Sequence, residues 1–422
     1  MLKRIMLILL ALTMALAMTQ CGGKPGDDGI PPNTSTEEPT EPSTAAPVTI
    51  SRDPADYSDT WWQFRGVSTM NVVKDRFSNV SAFDANNLSS SYNQNIAKVM
   101  DLAVEVGANY IELNIPFHQR PGGQSGPVTR EMLLPYFTSF VEMARERGLM
   151  IYWRMAPPRE AQNGKEFDFR GMILNKSNDT NLTIQGTEEY FYYIKEFFTV
   201  VAADYDLLQP GDILSTWAEG DNAFTSDLGW SPGCARYKVY MRTMAPLVQE
   251  WIAEDNLDII YGESICGGDA RIRDLFDAKI CEYVDVIFWD HYAGINTDSG
   301  NTTPETVERM ITSAANTARW IEQYAKAYNV KVSLGEWSTH WANKDKDATR
   351  EKQAEWITIM MDALSNLSSD YFFGMEYFHF AHPGQTIDFK NASYYYAAFV
   401  ADAGGKYAGF YALQEAFERH SK

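Results

Sequence analysis

The chain has 422 residues, a formal net charge of −20 and four cysteines. So acidic a surface excludes nucleic acid as a partner, because phosphate binding needs a basic stripe, and it disfavours a strongly acidic substrate. Cys234, Cys266 and Cys281 are spaced as neither a disulfide framework nor a zinc set and read as small buried residues with at most one bridge.

Residues 1–21 read as a targeting segment. Lys3 and Arg4 precede an apolar run from Ile5 to Met18, the length of a signal-peptide core and too short for a comfortable membrane span. Cys21 follows. The order of basic start, apolar core and Cys resembles a bacterial lipoprotein signal, which implies Cys21 as the lipidated N-terminus. Residues 22–59 are rich in Pro, Thr, Ser, Glu and Gly, with almost no large apolar residue. Such a stretch buries too little surface to offset its ordering entropy and is expected to stay a disordered tether. Asp27 and Asp28 resemble the acidic export signals of outer-surface lipoproteins. The expectation is a globular head, residues 60–422, outside the cytoplasm and joined to a bacterial outer membrane through the N-terminal lipid only.

Eight times along that head a short apolar run is followed by an amphipathic one. The predicted strands are Gln63–Val67, Tyr110–Ile115, Leu149–Arg154, Asp212–Trp217, Leu257–Tyr261, Val284–Trp289, Val330–Leu334 and Tyr371–Phe378. The helices between them fall after Tyr92, over 129–147, near Glu188–Tyr205, over Tyr237–Ala253, Ala270–Cys281, Pro304–Tyr328 and Arg350–Leu364, with a last one near Phe410–Arg419. Gly107 and Gly148 stand where helix C-caps belong. Strands alternating with helices imply parallel pairing through helical crossovers. Eight units, with no Gly-rich phosphate fingerprint after the first strand, predict a single (β/α)8 TIM barrel of class α/β. The residues that matter then lie at the C-terminal strand ends, where barrel active sites are built.

Two acids stand there. Glu219 follows strand four in Trp217-Ala218-Glu219-Gly220-Asp221-Asn222, and Glu336 follows strand seven in Leu334-Gly335-Glu336-Trp337. An acid directly after an apolar strand has little structural reason to be there, and two across one barrel mouth suit glycoside hydrolysis. Retention needs one carboxyl as nucleophile and a second as acid then base, about 5–5.5 Å apart. The two must differ in proton affinity, the acid raised by burial or by its anionic partner.

With these motifs the chain resembles the clan A glycoside hydrolases, the group containing cellulases and mannanases, over roughly residues 60–420. The resemblance implies Glu219 as acid/base, Glu336 as nucleophile, no cofactor and no metal, and a poly- or oligosaccharide substrate that is neutral and β-linked. Strand six, running into Asp290-His291-Tyr292, resembles the clan's strand that ends near the two acids, which implies positioning roles for His291 and Tyr292. The chain departs from the clan twice. Ala218 stands where an Asn usually contacts the sugar 2-hydroxyl, a contact that Asn222 or Asn114 would have to supply. Glu112 stands where an Arg usually supports the nucleophile, leaving Arg65 or Arg154 to provide that cation.

Aromatic residues crowd the same strand ends. Trp153, Trp217, Trp289, Trp337, Trp341, Tyr377 and Phe378 are expected on the rim, where sugar rings stack on aromatic faces, with Trp337 the foremost platform. Glu112, Glu263 and Glu376 are spare acids that read as hydrogen-bonded structural groups, with Glu263 first in reserve for catalysis. Segments 119–128 and 157–186 are expected to wall a cleft. His379, His382 and Asp388 could be read as metal ligands, but nothing completes that set at zinc-like spacing. The rival readings are a sugar-binding barrel that does not cleave, for which Ala218 argues, a metal-dependent barrel hydrolase, for which only His291 and Asp290 offer themselves as strand-end ligands, and a transglycosylase.

Overall fold

The computed structural model describes residues 60–69, 90–114, 130–157, 168–177, 179–266, 272, 274–291, 306–339, 350–378, 380–381 and 405–421. The targeting segment and tether, and with them Cys21, lie outside the described residues, as do Tyr292, Trp341, His379, His382, Asp388 and the 119–128 segment.

Eight parallel strands close into a barrel in chain order, each pairing with the next and β8 with β1. They are β1 Phe64–Ser68, β2 Tyr110–Asn114, β3 Met150–Arg154, β4 Ile213–Ser215, β5 Ile260–Cys266, β6 Val286–Asp290, β7 Lys331–Trp337 and β8 Phe372–Tyr377. The surrounding helices are α1 Ser90–Glu105, α2 Arg130–Arg145, α3 Phe169–Leu174, α4 Thr180–Glu196, α5 Gly220–Leu228, α6 Trp230–Glu254, α7 Ala278–Cys281, α8 Val307–Tyr328, α9 Arg350–Leu364 and α10 Ala408–Arg419. The (β/α)8 barrel expected from the alternation is the fold. Gly107 and Gly148 end α1 and α2 with φ of 86° and 71°, left-handed values that cost a glycine nothing.

Three differences from the expected elements bear on the site. Strand five extends to Cys266, which brings Glu263 and Ser264 into the sheet. Strand seven runs to Trp337, so Glu336 is a strand residue. Part of the segment expected to be a cleft wall after β3 is helical instead, as α3 and the start of α4.

Side chains on a strand alternate between the barrel interior and the helix layer. Inside, Phe64, Tyr110, Tyr152, Ile213, Val286, Phe288 and Phe373 fill the lower barrel with close-packed rings, Tyr152 stacking on Phe288 at 4.6 Å. Above this plug the inward residues turn polar: Glu112, Arg154, Asp290, Glu336 and Glu376, all buried. The larger apolar cluster lies between the strands and the helices. The approach to β1 is fastened to the last two helices by His420, whose ring stacks on Trp62 at 4.3 Å and bridges Thr60 O and Ser365 Oγ, each at 2.8 Å.

Candidate active site

Glu336 owes its inward direction to an irregularity in β7. Trp289 pairs with Leu334 but Asp290 pairs with Glu336, so β7 carries one extra residue, Gly335, against β6. A Cβ at position 335 would lie 2.8 Å from the Phe288 Cβ and collide with the Asp290 carboxylate, so only glycine lets the strands approach here. After this bulge Glu336 faces the mouth and Trp337 faces the helices.

Glu219 reaches the mouth by a strained turn. Its backbone is left-handed, φ 48° and ψ 43°, immediately before α5. Non-glycine residues there cost about 1–2 kcal/mol, so the surroundings must hold the conformation. They do so from both sides. The Glu219 N–H donates to Ser264 Oγ at 2.7 Å, and the Ala218 N–H donates to Met155 O at 2.8 Å. Just before them, buried Glu263 accepts from the Thr216 N–H at 3.0 Å, the Trp217 N–H at 3.3 Å, Tyr261 Oη at 2.9 Å and Thr216 Oγ1. Glu263 is thus a clamp on the end of β4, and its carboxyl faces these donors rather than the mouth. Asp221 fastens the start of α5 by accepting from the Cys266 N–H at 2.9 Å.

Beside Glu336 stands Arg154, from β3. Its Nη1 donates to Glu336 Oε1 and to Glu112 Oε1 at 2.9 Å; its Nη2 donates to Asp290 Oδ2 at 2.7 Å and to Ser264 Oγ at 3.1 Å. Of the two candidates for the missing cation, Arg154 is therefore the one beside Glu336. Arg65 is engaged at the opposite end of the barrel, with Trp62 O at 2.7 Å and Gly107 O at 3.1 Å. A substrate-binding role for Arg154, the other reading its place at a strand end allows, does not fit: it is 1% exposed and all four of its Nη hydrogens are spent inside the protein. It orients carboxylates instead. Ser264 joins the two halves of the site, since one hydroxyl oxygen accepts from both the Glu219 backbone and Arg154.

Glu219, Asp290 and Glu336 converge, one oxygen of each lying within 4.8 Å of the others. Three carboxylates so close could hold a cation, but two of them already accept from Arg154, which supplies that positive charge. Burial first, and then the charge of Glu336, raise the Glu219 carboxyl to about 8, against the opposing pull of Arg154 and of Asn222. Asn222, one turn into α5, donates through Nδ2 to Glu219 Oε2 at 3.4 Å. Asp290 is pushed up by burial, with Arg154 opposing and Glu336 and Glu219 adding.

The remaining expected site residues divide sharply. Asn114 ends β2 opposite Arg154, its side chain outside the described residues. His291 stacks flat on Trp289 at 4.0 Å and meets Trp320 of α8 at 6.1 Å; burial lowers its imidazole to about 3, so it is neutral. Those ring contacts point it toward the helix layer and not toward the two acids. Six of the seven aromatic residues expected on the rim are described, and all six, Trp289 and Phe378 among them, are buried. Trp153 packs on Phe137 and Phe198 and donates to Asp212 at 3.4 Å. Trp217 packs on Phe224 and Tyr240 beneath α5 and α6. Trp337 packs on Trp356 of α9 and on Tyr377, whose hydroxyl lies 2.9 Å from Thr339 Oγ1. All six are at most 2% exposed. The reason is the alternation itself: Trp337 and Tyr377 adjoin inward Glu336 and Glu376, and Trp153 adjoins inward Arg154, so each must point outward. Asp290 and Ser264 belong to the site as well; the same alternation, counted from Phe288 and Gly262, puts both inside.

No protein-family model matches the chain, and no curated protein matches it in sequence. Solved structures do resemble it. A broad-specificity GH5-4 endoglucanase from Clostridium longisporum is 12% identical with a TM-score of 0.55, over 84% of this chain and 96% of that one. Fungal β-1,4-galactanases are 12% identical with a TM-score of 0.52, over 84% and 99%. The GH53 catalytic domain of Ignisphaera aggregans is 16% identical with a TM-score of 0.51, over 86% and 97%. At such identities the likeness is one of fold.

Proposed function

We propose that the protein is a retaining glycoside hydrolase acting on a neutral, β-linked poly- or oligosaccharide. The observation that carries this reading is the pairing of Glu219 and Glu336 at one barrel mouth, with carboxylate oxygens within 4.8 Å and unequal surroundings. So close an approach supports a covalent double displacement, whose carboxyl groups stand about 5–5.5 Å apart. Glu336, held by Arg154, attacks the anomeric carbon. Glu219 protonates the departing oxygen, which its raised carboxyl permits at neutral pH, and then, as a carboxylate, removes a proton from the water that releases the sugar. The solved structures with the same barrel are sugar-cleaving enzymes, which supports the class of reaction without naming the sugar.

The test is a screen of the purified protein, with a chelator present, against mannans, glucans, xylans and galactans. Release of sugar with retained anomeric configuration is the expected result. Binding with no cleavage of any of them would favour the non-catalytic reading that Ala218 suggests. Once a substrate is known, kcat/KM is expected to fall above about pH 8, because Glu219 must enter the reaction protonated and its carboxyl loses the proton there. A basic limb two units lower would show that another group is the acid.

We also propose a lipid-anchored, extracytoplasmic protein. The basic start, apolar run and Cys21 support this, followed by a Pro/Thr-rich spacer of a length to hold the barrel off a membrane. Labelled palmitate should enter the expressed protein, and Cys21→Ser should abolish the label; label retained in that variant would refute the anchor.

A further inference from the structure

Beside Arg154 two carboxyl groups meet with too little positive charge for both. Glu376, on β8, is fully buried, and neither of its oxygens has a hydrogen-bond donor among the described residues. Glu112, on β2, lies within hydrogen-bonding reach of it across β1, whose Gly66 pairs with Glu376 and whose Ser68 pairs with Glu112. Glu112 is well supplied: Ser68 Oγ donates to one oxygen and Arg154 Nη1 to the other. Arg154 has no Nη hydrogen left for Glu376. A buried carboxylate with neither donor nor cation of its own takes up a proton rather than stay charged. A proton placed between two adjacent carboxyl groups turns their repulsion into a hydrogen bond.

We propose that Glu376 is a positioning residue, a carboxylic acid kept protonated, which donates to Glu112 and thereby governs how Arg154 shares its charge between Glu112 and Glu336. Ionised, Glu376 would double the negative charge on that side and draw the guanidinium from Glu336. Protonated, it takes up part of the Glu112 charge and leaves Arg154 to the nucleophile. The ionisable groups facing it are Glu112, Glu336, Arg154 and the Tyr152 phenol. Burial and the charges of Glu112 and Glu336 push its carboxyl well above the usual range, and only Arg154 opposes them. The catalytic consequence rests on the hydrolase reading; the protonation does not, and can be observed with no substrate at all.

Difference infrared spectra of the full-length wild type against Glu376→Gln, at neutral pH, should show the carbonyl stretch of a protonated carboxyl that the variant lacks. Heat unfolding supplies a second readout. Glu376 holds a proton in the folded protein that an unfolded Glu releases above about pH 4.3, so wild type should lose stability relative to Glu376→Gln as the pH rises from about 5 to about 8. In turnover, Glu376→Gln, whose amide still donates to Glu112, should keep kcat/KM within about threefold, whereas Glu376→Leu should lose roughly tenfold, the effect of one unmade buried hydrogen bond to a charged group. Carboxylate bands alone in the difference spectrum, or a stability gap flat in pH, would overturn the protonated state. Equal turnover of the Gln and Leu variants would overturn the positioning role. A protonated carboxyl found in a protein that cleaves no glycan would sink the hydrolase reading and leave the protonation standing.

Discussion

Glu336→Ala is expected to remove nearly all turnover, on the order of 10⁴-fold or more in kcat, because the covalent step has no substitute nucleophile. Glu219→Ala is expected to lose ~10²–10⁴-fold, the usual worth of a positioned general acid. The two losses should differ in kind. With a leaving group that needs no proton, Glu219→Ala should form the glycosyl-enzyme readily and then stall, since no base activates water. Glu336→Ala should form no intermediate. Azide should occupy the place of the missing Glu336 carboxylate and attack the anomeric carbon directly, giving a product of inverted configuration. Neither change should unfold the barrel: Arg154 keeps Glu112, Asp290 and Ser264 when Glu336 is cut back, and the Glu219 turn is held through its backbone. Circular dichroism and product analysis by NMR together check the case. Either variant turning over at the wild-type rate would remove that residue from the mechanism.

Arg154→Met should cost stability as well as activity. Arg154 is the cation for three buried carboxylates, Glu112, Asp290 and Glu336, and its side chain is 1% exposed. Removing one partner of a buried ion pair costs about 3–5 kcal/mol because the remaining charges stay buried without compensation. A domain of ordinary stability has roughly 5–15 kcal/mol in total, so Tm should fall by on the order of 10 °C. The sign with pH is definite. The variant must carry protons on its orphaned carboxyls in the fold that the unfolded chain releases above about pH 4, so its stability deficit should grow from acid to neutral pH. Arg154→Lys should restore part of the stability and little of the activity, because an ammonium is a point charge and cannot span four acceptors in one plane. Calorimetry across pH tests this, and a Met variant as stable as wild type at neutral pH would show that Arg154 is not the keystone of the acid cluster.

The inward and outward faces of the strands decided where sequence reasoning succeeded. Glu219 and Glu336 stood out because an acid ending an apolar run is conspicuous whichever way it points. The tryptophans misled because composition at a strand end says nothing about direction: Trp337 is one residue from Glu336 and lies on the other side of the sheet. The Gly335 bulge made that ambiguity worse, since it places two consecutive residues on one face, and no period-two count survives it. Arg154 and Arg65 could not be separated by sequence for a similar reason. Both sit on barrel strands, but Arg154 ends β3 at the mouth whereas Arg65 opens β1 at the other end.

The sequence by itself determined the eightfold strand and helix rhythm, hence the closed parallel barrel, and the two acids at its strand ends, because periodicity and strand position are local properties of a chain. Only the tertiary structure decided which charges share a cavity. Arg154, Asp290, Ser264, Glu112 and Glu376 come from five different strands, and their roles arise from the short distances that barrel closure imposes, between residues as far apart in sequence as Glu112 and Glu376.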